Sequence, residues 1–447
     1  MVGEIYARNP FPEPAWAKDM VIYEINPRGF TSPAGVGAGD GSGTFAITAE
    51  RFPYLKDLGV NTIWLAGYCT ATDHFYGIWS VYATWQPDEI DPSLGSEEDF
   101  AAMVRTAHDH GIRVLIDVIS HGVLDDSPLV VEHPTWFKGR SWGMTDYDYE
   151  NAEFRDWWVD VWVSYVLRYG VDGFRVDIDL RDPELWDSVA ARCAEAGHEI
   201  LVMPEWGRYH LGQHDTSAFS PDIAADWSAD PRPLATVQVS CHDAGWLSSP
   251  SNHYRVRGSR SAFGYSALFG HRVPLFFAGE EFDATQRGLP KLRRGLFGAG
   301  GSGGWLYGTQ LDWSELDRPD KGAMHDDVRR ILQVRSQNAD LINADRRLGL
   351  MTSVPVEPVL PLVPYARWSE TSAVIVVGNE ERDARTVSLE LPLSRFGFSP
   401  GSRCVIRDLL SGEETQVRAS ETMSHTVSVP GDHQPGGGLG VLRIDQA

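Results

Sequence analysis

Eight short apolar runs recur along this chain, separated by stretches with helix-like spacing, and that rhythm restricts the fold more than any other feature of the sequence. The runs are VIYEI at 21–25, NTIWL at 61–65, IRVLID at 112–117, VDGFRVD at 171–177, EILVMPE at 199–205, DIAADW at 222–227, TVQVSC at 236–241 and RVPLFFAG at 272–279. Between them, EEDFAAMVRTAHDHG at 97–111 and PELWDSVAARCAEAG at 183–197 carry helical periodicity and stop at glycine, as a helix end does. Eight βα units in succession predict an α/β fold, a (β/α)8 TIM barrel. A doubly wound sheet is the alternative, but no glycine-rich phosphate fingerprint follows the first run. From about residue 350 the texture changes to short alternating runs, SAVIVVGN, RTVSLELP, RCVIRDL, HTVSVP and GVLRI, which predict an antiparallel C-terminal β domain. The expected division is a barrel over 1–345 and a C-terminal β-sandwich domain over 350–447. The glycine-rich FGAGGSGGWL at 297–306 is expected to be a loop at the barrel mouth.

Composition narrows the partners. The formal net charge of −23 repels phosphate backbones and anionic lipid, so neither nucleic acid nor membrane is an expected partner, and a neutral substrate fits better. Sixteen Trp and fifteen Tyr offer flat faces suited to sugar rings, although the same side chains also build cores. The first residues, MVGEIYARNPFPEPAW, show no basic segment followed by an apolar one, from which a cytoplasmic location is expected. Cys69, Cys193, Cys241 and Cys404 lie far apart with no CxxC spacing, which argues for packed thiols rather than a zinc site or a disulfide framework. His108 with His110 stands at a helix end next to Gly111, where histidine commonly meets the helix dipole, and His210 with His214 has the four-residue spacing of a ligand pair; neither has a clear third ligand, so no metal is expected.

The chemistry points to acids at strand ends. In GFRVD at 173–177, Arg175 stands two residues before Asp177 at the predicted end of the fourth strand, and barrel catalysis takes place at that end of the strands. An arginine beside it favours the ionised carboxylate a nucleophile needs, while an ordinary buried Arg–Asp pair is the plain alternative. Glu205 ends the fifth strand and Asp243 follows the seventh, so all three acids are expected on one face. Glycosidic bond cleavage needs such a set: an attacking carboxylate, a protonated acid for the leaving oxygen, and negative charge near the oxocarbenium-like transition state. Glu205 lies in MPEWG between Pro204 and Trp206, an apolar setting expected to favour its protonated form; a capping acid is the alternative.

These segments resemble the α-amylase family, glycoside hydrolase family 13, and its intracellular α-glucosidase and cyclomaltodextrinase-type members most of all. IDVISH at 116–121, GFRVD at 173–177, MPEWG at 203–207 and SCHD at 240–243 are similar to the family's four motifs and follow their order. Further similarity lies in IDPSLGSEEDF at 90–100, YDYENAEFRDWW at 147–158 and FFAGEEF at 276–282. The resemblance implies Asp177 as nucleophile, Glu205 as general acid/base and Asp243 as transition-state stabiliser, with Arg175, His242 and His121 around the sugar being cleaved. Tyr76 is ranked first for stacking on that sugar, ahead of Tyr82 with Trp79 close by, and Trp206 is a further candidate contact.

Several positions depart from the family pattern. Ser120 stands where an Asn usually precedes the histidine, and Arg181 stands four residues after the nucleophile. With Asp146 as the one family-type carboxylate, the six or more oxygens of a calcium site are not assembled, and no cofactor is expected. The insertion after the third strand, at about 118–150, is short for the small domain that walls the family's cleft. Ile178 follows the nucleophile, where a branched apolar residue accompanies α-1,6 cleavage in some relatives.

The expected activity is therefore retaining hydrolysis of α-1,4 or α-1,6 bonds in malto- or isomalto-oligosaccharides, branched or cyclic forms included. Double displacement requires the Asp177 and Glu205 carboxyls to lie about 5 to 5.5 Å apart. A transglycosylase or a trehalose-synthase-like isomerase uses the same covalent intermediate and is the alternative. A non-catalytic binding subunit fits less well, because all three acids are present. The expected partner is a neutral α-glucan oligosaccharide, and a homo-oligomer is compatible with the sequence.

Overall fold

A computed structural model of the protein describes residues 11–31, 43–74, 77–213, 216–217, 234–238, 241–242, 259–288, 306–350 and 364–446. Its core is a ring of parallel strands: β1 (Ile22–Ile25), β2 (Thr62–Leu65), β3 (Arg113–Val118), β4 (Gly173–Val176), β5 (Leu201–Pro204), β6 (Thr216–Ser217), β7 (Ala235–Gln238) and β8 (Arg272–Phe277). The order across the sheet is β5-β4-β3-β2-β1-β8-β7-β6, which is the sequential order of a barrel cut between β5 and β6. The segment leading into β6 bridges that cut. His210 N–H donates to Val202 O at 3.2 Å and Gln213 N–H to Pro204 O at 2.8 Å, while Thr216 and Ser217 pair with Val237 and Gln238 on the other side. The sixth place in the sheet is taken by Thr216 and Ser217; the run at 222–227 expected there lies outside the described residues.

Helices follow the strands on the outside: α1 (Phe52–Leu58), α2 (Glu97–Asp109), α3 (Ala152–Ser164), α4 (Pro183–Glu195), α5 (Ser259–Ala267) and α6 (Pro319–Gln337). Local chemistry fixes their ends. Ser96 and Asp99 form a reciprocal capping box at the start of α2. Pro183 opens α4 behind Asp182, whose carboxylate accepts the Glu184 N–H. Phe100, Met103, Val104 and Ala107 form the buried stripe of α2, which is why that segment reads as helix and packs on the barrel.

Two insertions rise from the carboxyl ends of the strands. After β2, Cys69–Ala71 pairs with Thr84–Ile90 in an irregular antiparallel ribbon that carries Tyr82. After β3, Gly122–Leu124, Phe137–Ser141 and Met144–Tyr147 make a three-stranded antiparallel sheet, which holds all the strands of the insertion expected at about 118–150.

Beyond α6 the chain is antiparallel. β9 (Arg346–Gly349), β10 (Tyr365–Trp368), β11 (Ser372–Gly378), β12 (Arg385–Leu391), β13 (Arg403–Asp408), β14 (Glu414–Arg418), β15 (Met423–Val429) and β16 (Leu439–Gln446) form a six-stranded sheet, β9-β10-β11-β16-β13-β14, and a separate β12–β15 pair. Ala366, Ile375, Leu389, Leu391, Phe396 and Ile444 belong to a core of its own, while Tyr365, Val374, Val376 and Val441 join the large barrel cluster. Alternation along β11 therefore buries both of its faces, one in each core. The glycine-rich run at 297–306 falls almost wholly outside the described residues. Among the described residues no helix is long and apolar enough to cross a membrane.

Candidate active site

Arg175 organises the carboxyl end of the barrel. It points inward from β4, is fully buried, and its guanidinium reaches Asp117, Asp177 and Glu205 together. Nη1 donates to Asp177 Oδ1 at 2.8 Å and to Asp117 Oδ1 at 3.0 Å, Nη2 lies 2.9 Å from Glu205 Oε2, and Nε donates to Gln213 Oε1 at 2.8 Å. Its Cζ lies 4.8 Å from the centroid of the Trp64 ring, a cation–π contact that helps a buried cation tolerate its site. Asp177 and Glu205 are thus bound to the two terminal nitrogens of one planar fork, whose geometry suits carboxylates.

Backbone contacts hold the pair in register. Asp177 N–H donates to Val118 O, and the Ser120 hydroxyl donates to Asp177 O at 2.6 Å, which ties the end of β4 to the segment after β3. Ser120, the departure from the family motif, therefore has a role in holding the strand end. Ile178 then turns into the left-handed region at φ 63°, a costly conformation for a β-branched residue. That turn aims the Ile178 N–H at Glu205 Oε2, 3.0 Å away, and its carbonyl at the Trp206 N–H.

The surroundings of Glu205 differ from the apolar setting expected from Pro204 and Trp206. Its Oε2 faces a guanidinium and a backbone N–H, and Trp206 turns outward with 58% of its surface exposed. The strand ends at Pro204, and in the bend that follows Trp206 is turned away from Glu205 toward solvent. Both contacts fall on the same oxygen: the Ile178 N–H donates to Oε2, and the Arg175 guanidinium forms an ion pair with it.

His121 Nδ1 lies 3.5 Å from Asp177 Oδ2, and its Nε2 lies 3.0 Å from the Met144 sulfur. The exposed Trp142, at the tip of the small insertion hairpin, meets His121 edge-on at 5.1 Å. His242, at the end of the seventh strand region, is buried in a cluster with the Tyr82 and Tyr307 rings and lies face to face with the latter at 4.4 Å. Asp243 and Tyr76 lie outside the described residues. Tyr82, ranked behind Tyr76 in the sequence, is the tyrosine brought to the acids: its hydroxyl is 2.9 Å from Asp117 Oδ2 and 3.1 Å from His242 Nε2.

Asp117, Glu24, Trp64, Gln213 and Tyr307 were given no role by sequence reasoning. Asp117 is fully buried, accepts from Trp64 Nε1 at 3.1 Å, and is pushed up to about 6 by burial, with the Arg175 charge pulling it back down. The signal for Glu24 was an acid inside the otherwise apolar run VIYEI. Trp64 and Gln213 had no comparable mark.

The histidine pairs separate into structural roles. His108 Nε2 pairs with Asp172 at 2.9 Å, His110 Nδ1 meets Thr106 O, and His210 Nδ1 accepts the Val202 N–H; His214 lies outside the described residues. Burial pushes His210 down to about 4, which suits an acceptor imidazole. Asp146 accepts from the Ser141 hydroxyl at 2.5 Å, and Arg181 lies 3.4 Å from Asp179. Among the described residues no group of three or more His, Cys, Asp or Glu is arranged to hold a metal.

A parallel (β/α)8 barrel with an arginine-bridged Asp–Glu pair on its carboxyl rim defines the class: a barrel whose candidate chemistry rests on paired carboxylates. Comparison with known proteins shows what the chain is similar to. The family model described as the α-amylase catalytic domain matches residues 24–126. The chain is 27% identical to the α-amylase MalA of Haloarcula japonica over 452 residues, covering 92% of this chain and 61% of that protein. It is 31% identical to a trehalose synthase of Thermus thermophilus over 214 residues, 47% of this chain and 18% of that one. The chain thus spans less than two thirds of the length of these curated relatives. The solved maltogenic α-amylase AmyB of Thermotoga neapolitana has the same fold, with a TM-score of 0.68 at 18% identity, covering 96% of this chain and 99% of that one. The chain is thus similar to α-amylase catalytic domains in sequence over 24–126 and to α-amylases in fold over nearly its whole length.

Proposed function

We propose that this protein is a retaining hydrolase of α-glucosidic bonds in neutral malto- or isomalto-oligosaccharides. The observation that carries this reading is the single Arg175 fork holding both Asp177 and Glu205. Double displacement needs two carboxyls about 5 to 5.5 Å apart, against about 6.5 to 9.5 Å for a water-mediated inversion, and a bracket of one guanidinium favours the shorter spacing. Asp177 attacks the anomeric carbon while Glu205 gives its proton to the leaving oxygen. A β-glucosyl ester on Asp177 forms, and Glu205 then takes a proton from the incoming water, which displaces Asp177 and releases an α-anomeric sugar. His121 and His242 face the ring held between these acids, and Asp243, next to His242 in sequence, is assigned to the positive charge that develops at the transition state. Small soluble oligosaccharides of this kind suit an enzyme that works in the cytoplasm.

Transfer to a sugar hydroxyl, or isomerisation, is the second reading, and the likeness to a trehalose synthase favours it. A proton NMR time course on linear, branched and cyclic α-glucans separates the two. Early α-anomeric reducing sugar is expected for the retaining hydrolase. New glycosidic signals without free glucose support transfer, and β-anomer appearing first contradicts double displacement.

A further inference from the structure

Glu24 is an acid in the middle of an apolar strand, and its carboxylate is fully buried beneath the site. Burying a carboxylate is costly unless strong donors meet it, and two converge on one oxygen here. Oε1 accepts from His242 Nδ1 at 2.5 Å and from the Tyr307 hydroxyl at 2.8 Å. Tyr307 also covers the imidazole, its ring tilted by only 3° from the plane of His242, so one residue restrains both partners. Trp64 meets the imidazole edge-on at 5.6 Å, and the Tyr82 ring lies 5.2 Å from both the imidazole and the Tyr307 ring.

The far nitrogen continues the chain. His242 Nε2 is 3.1 Å from the Tyr82 oxygen, which is 2.9 Å from Asp117 Oδ2. Tyr82 has one hydroxyl proton, so the chain has a direction. If that proton goes to Asp117, the Tyr82 oxygen accepts from a protonated Nε2 and His242 is an imidazolium. If it goes to Nε2, His242 is neutral and Asp117 loses a donor. The charged groups facing the imidazole and its Tyr82 partner among the described residues are Glu24 from β1, Asp117 from β3, and Arg175 with Asp177 from β4. Three carboxylates against one guanidinium favour the imidazolium, and the 2.5 Å contact with Glu24 is the strongest single contribution.

We propose that Glu24 is a positioning residue: it holds His242 as an imidazolium with a proton fixed on Nδ1, which directs the Nε2 proton toward Tyr82 and the Tyr82 proton toward Asp117. Under the glycosidase reading, this sets a rigid cation beside the sugar; that consequence rests on the reading above, whereas the protonation state itself does not.

The test is nitrogen-15 NMR of histidine-labelled full-length protein, titrated from about pH 5 to 9, with the His242→Asn variant assigning the resonances. The native protein is expected to show both His242 nitrogens protonated at neutral pH. E24Q keeps the shape and an acceptor but removes the charge, and is expected to move the His242 titration down by about one to three pH units. Y307F removes the competing donor and is expected to leave that titration in place or move it up. An unprotonated Nδ1 in the native protein, or an E24Q titration that coincides with the native one, overturns the proposal. If E24Q does not fold, the native spectrum alone decides. Because no turnover is read, a failure here is distinct from a failure of the hydrolase reading.

Discussion

Glu281 illustrates what burial does to one carboxyl group. It accepts from Tyr54 at 2.6 Å and Tyr23 at 3.0 Å on one oxygen and from the Gly279 N–H at 2.9 Å on the other. Burial nevertheless pushes it up from 4.5 to about 7, with these hydrogen bonds offsetting only part of the rise. A carboxyl raised in the folded state binds its proton more tightly there than in the unfolded chain. Its stabilising contribution is therefore full below about pH 4.5, declines as pH rises toward about 7, and is gone above that. The span corresponds to roughly 3 kcal/mol. Glu281→Gln removes this titration, so urea unfolding at about pH 5 and 8 should differ less in the variant than in the native protein by roughly that amount. An unchanged difference would place the pH dependence elsewhere, for instance on Asp117, whose rise to about 6 acts in the same direction over a lower range.

At the scale of elements, the site depends on how β4 ends. The Ser120 hydroxyl fastens Asp177 O from the segment after β3, and the left-handed Ile178 presents its N–H to Glu205. Ser120→Ala removes a buried donor with little change in volume. It should lower unfolding free energy by about 1–3 kcal/mol and reduce kcat more than it raises KM, as measured by denaturant melts and steady-state kinetics. Unchanged stability and kinetics would remove Ser120 from this role. Much of this element was legible beforehand. The apolar runs place seven of the eight strands because a strand buried on both faces reads as nearly continuous hydrophobicity. At the sixth place Thr216 and Ser217 pair with β7, and the run at 222–227 lies outside the described residues. Asp177 and Glu205 were visible because strand ends carry barrel chemistry. Tyr307 was missed because it reaches the site from an irregular segment whose path no periodicity encodes, as Tyr82 does; Tyr76 lies outside the described residues. The polar bed of Glu205 was missed for a related reason: it is made by Arg175 and Ile178, distant in sequence order from the Pro204 and Trp206 that flank it.

For the whole molecule, the C-terminal sheet and the barrel share a core, and polar ties reinforce it. Arg367 is fully buried in β10; its guanidinium donates to Gly270 O and Ala344 O at 2.8 Å each and lies 5.1 Å from the Phe269 centroid. The Tyr365 hydroxyl adds a bond to Tyr265 O at 3.2 Å. Arg367→Ala leaves the buried Gly270 carbonyl and the part-buried Ala344 carbonyl short of a donor and should cost on the order of 3 kcal/mol. Because the large cluster contains side chains of both parts, one calorimetric transition is expected, shifted as a whole to lower temperature. Two separated transitions in the native protein would show that the shared core does not couple them.

Trapping the covalent intermediate tests the central claim most directly. A fluorinated α-glucosyl donor, which forms the glycosyl-enzyme quickly and releases it slowly, would be added to the native protein, and the digest read by mass spectrometry. The adduct is expected on Asp177, within the peptide that carries GFRVD at 173–177. An adduct on another carboxylate, or none on Asp177 while the unfluorinated donor is still turned over, would contradict double displacement through this residue.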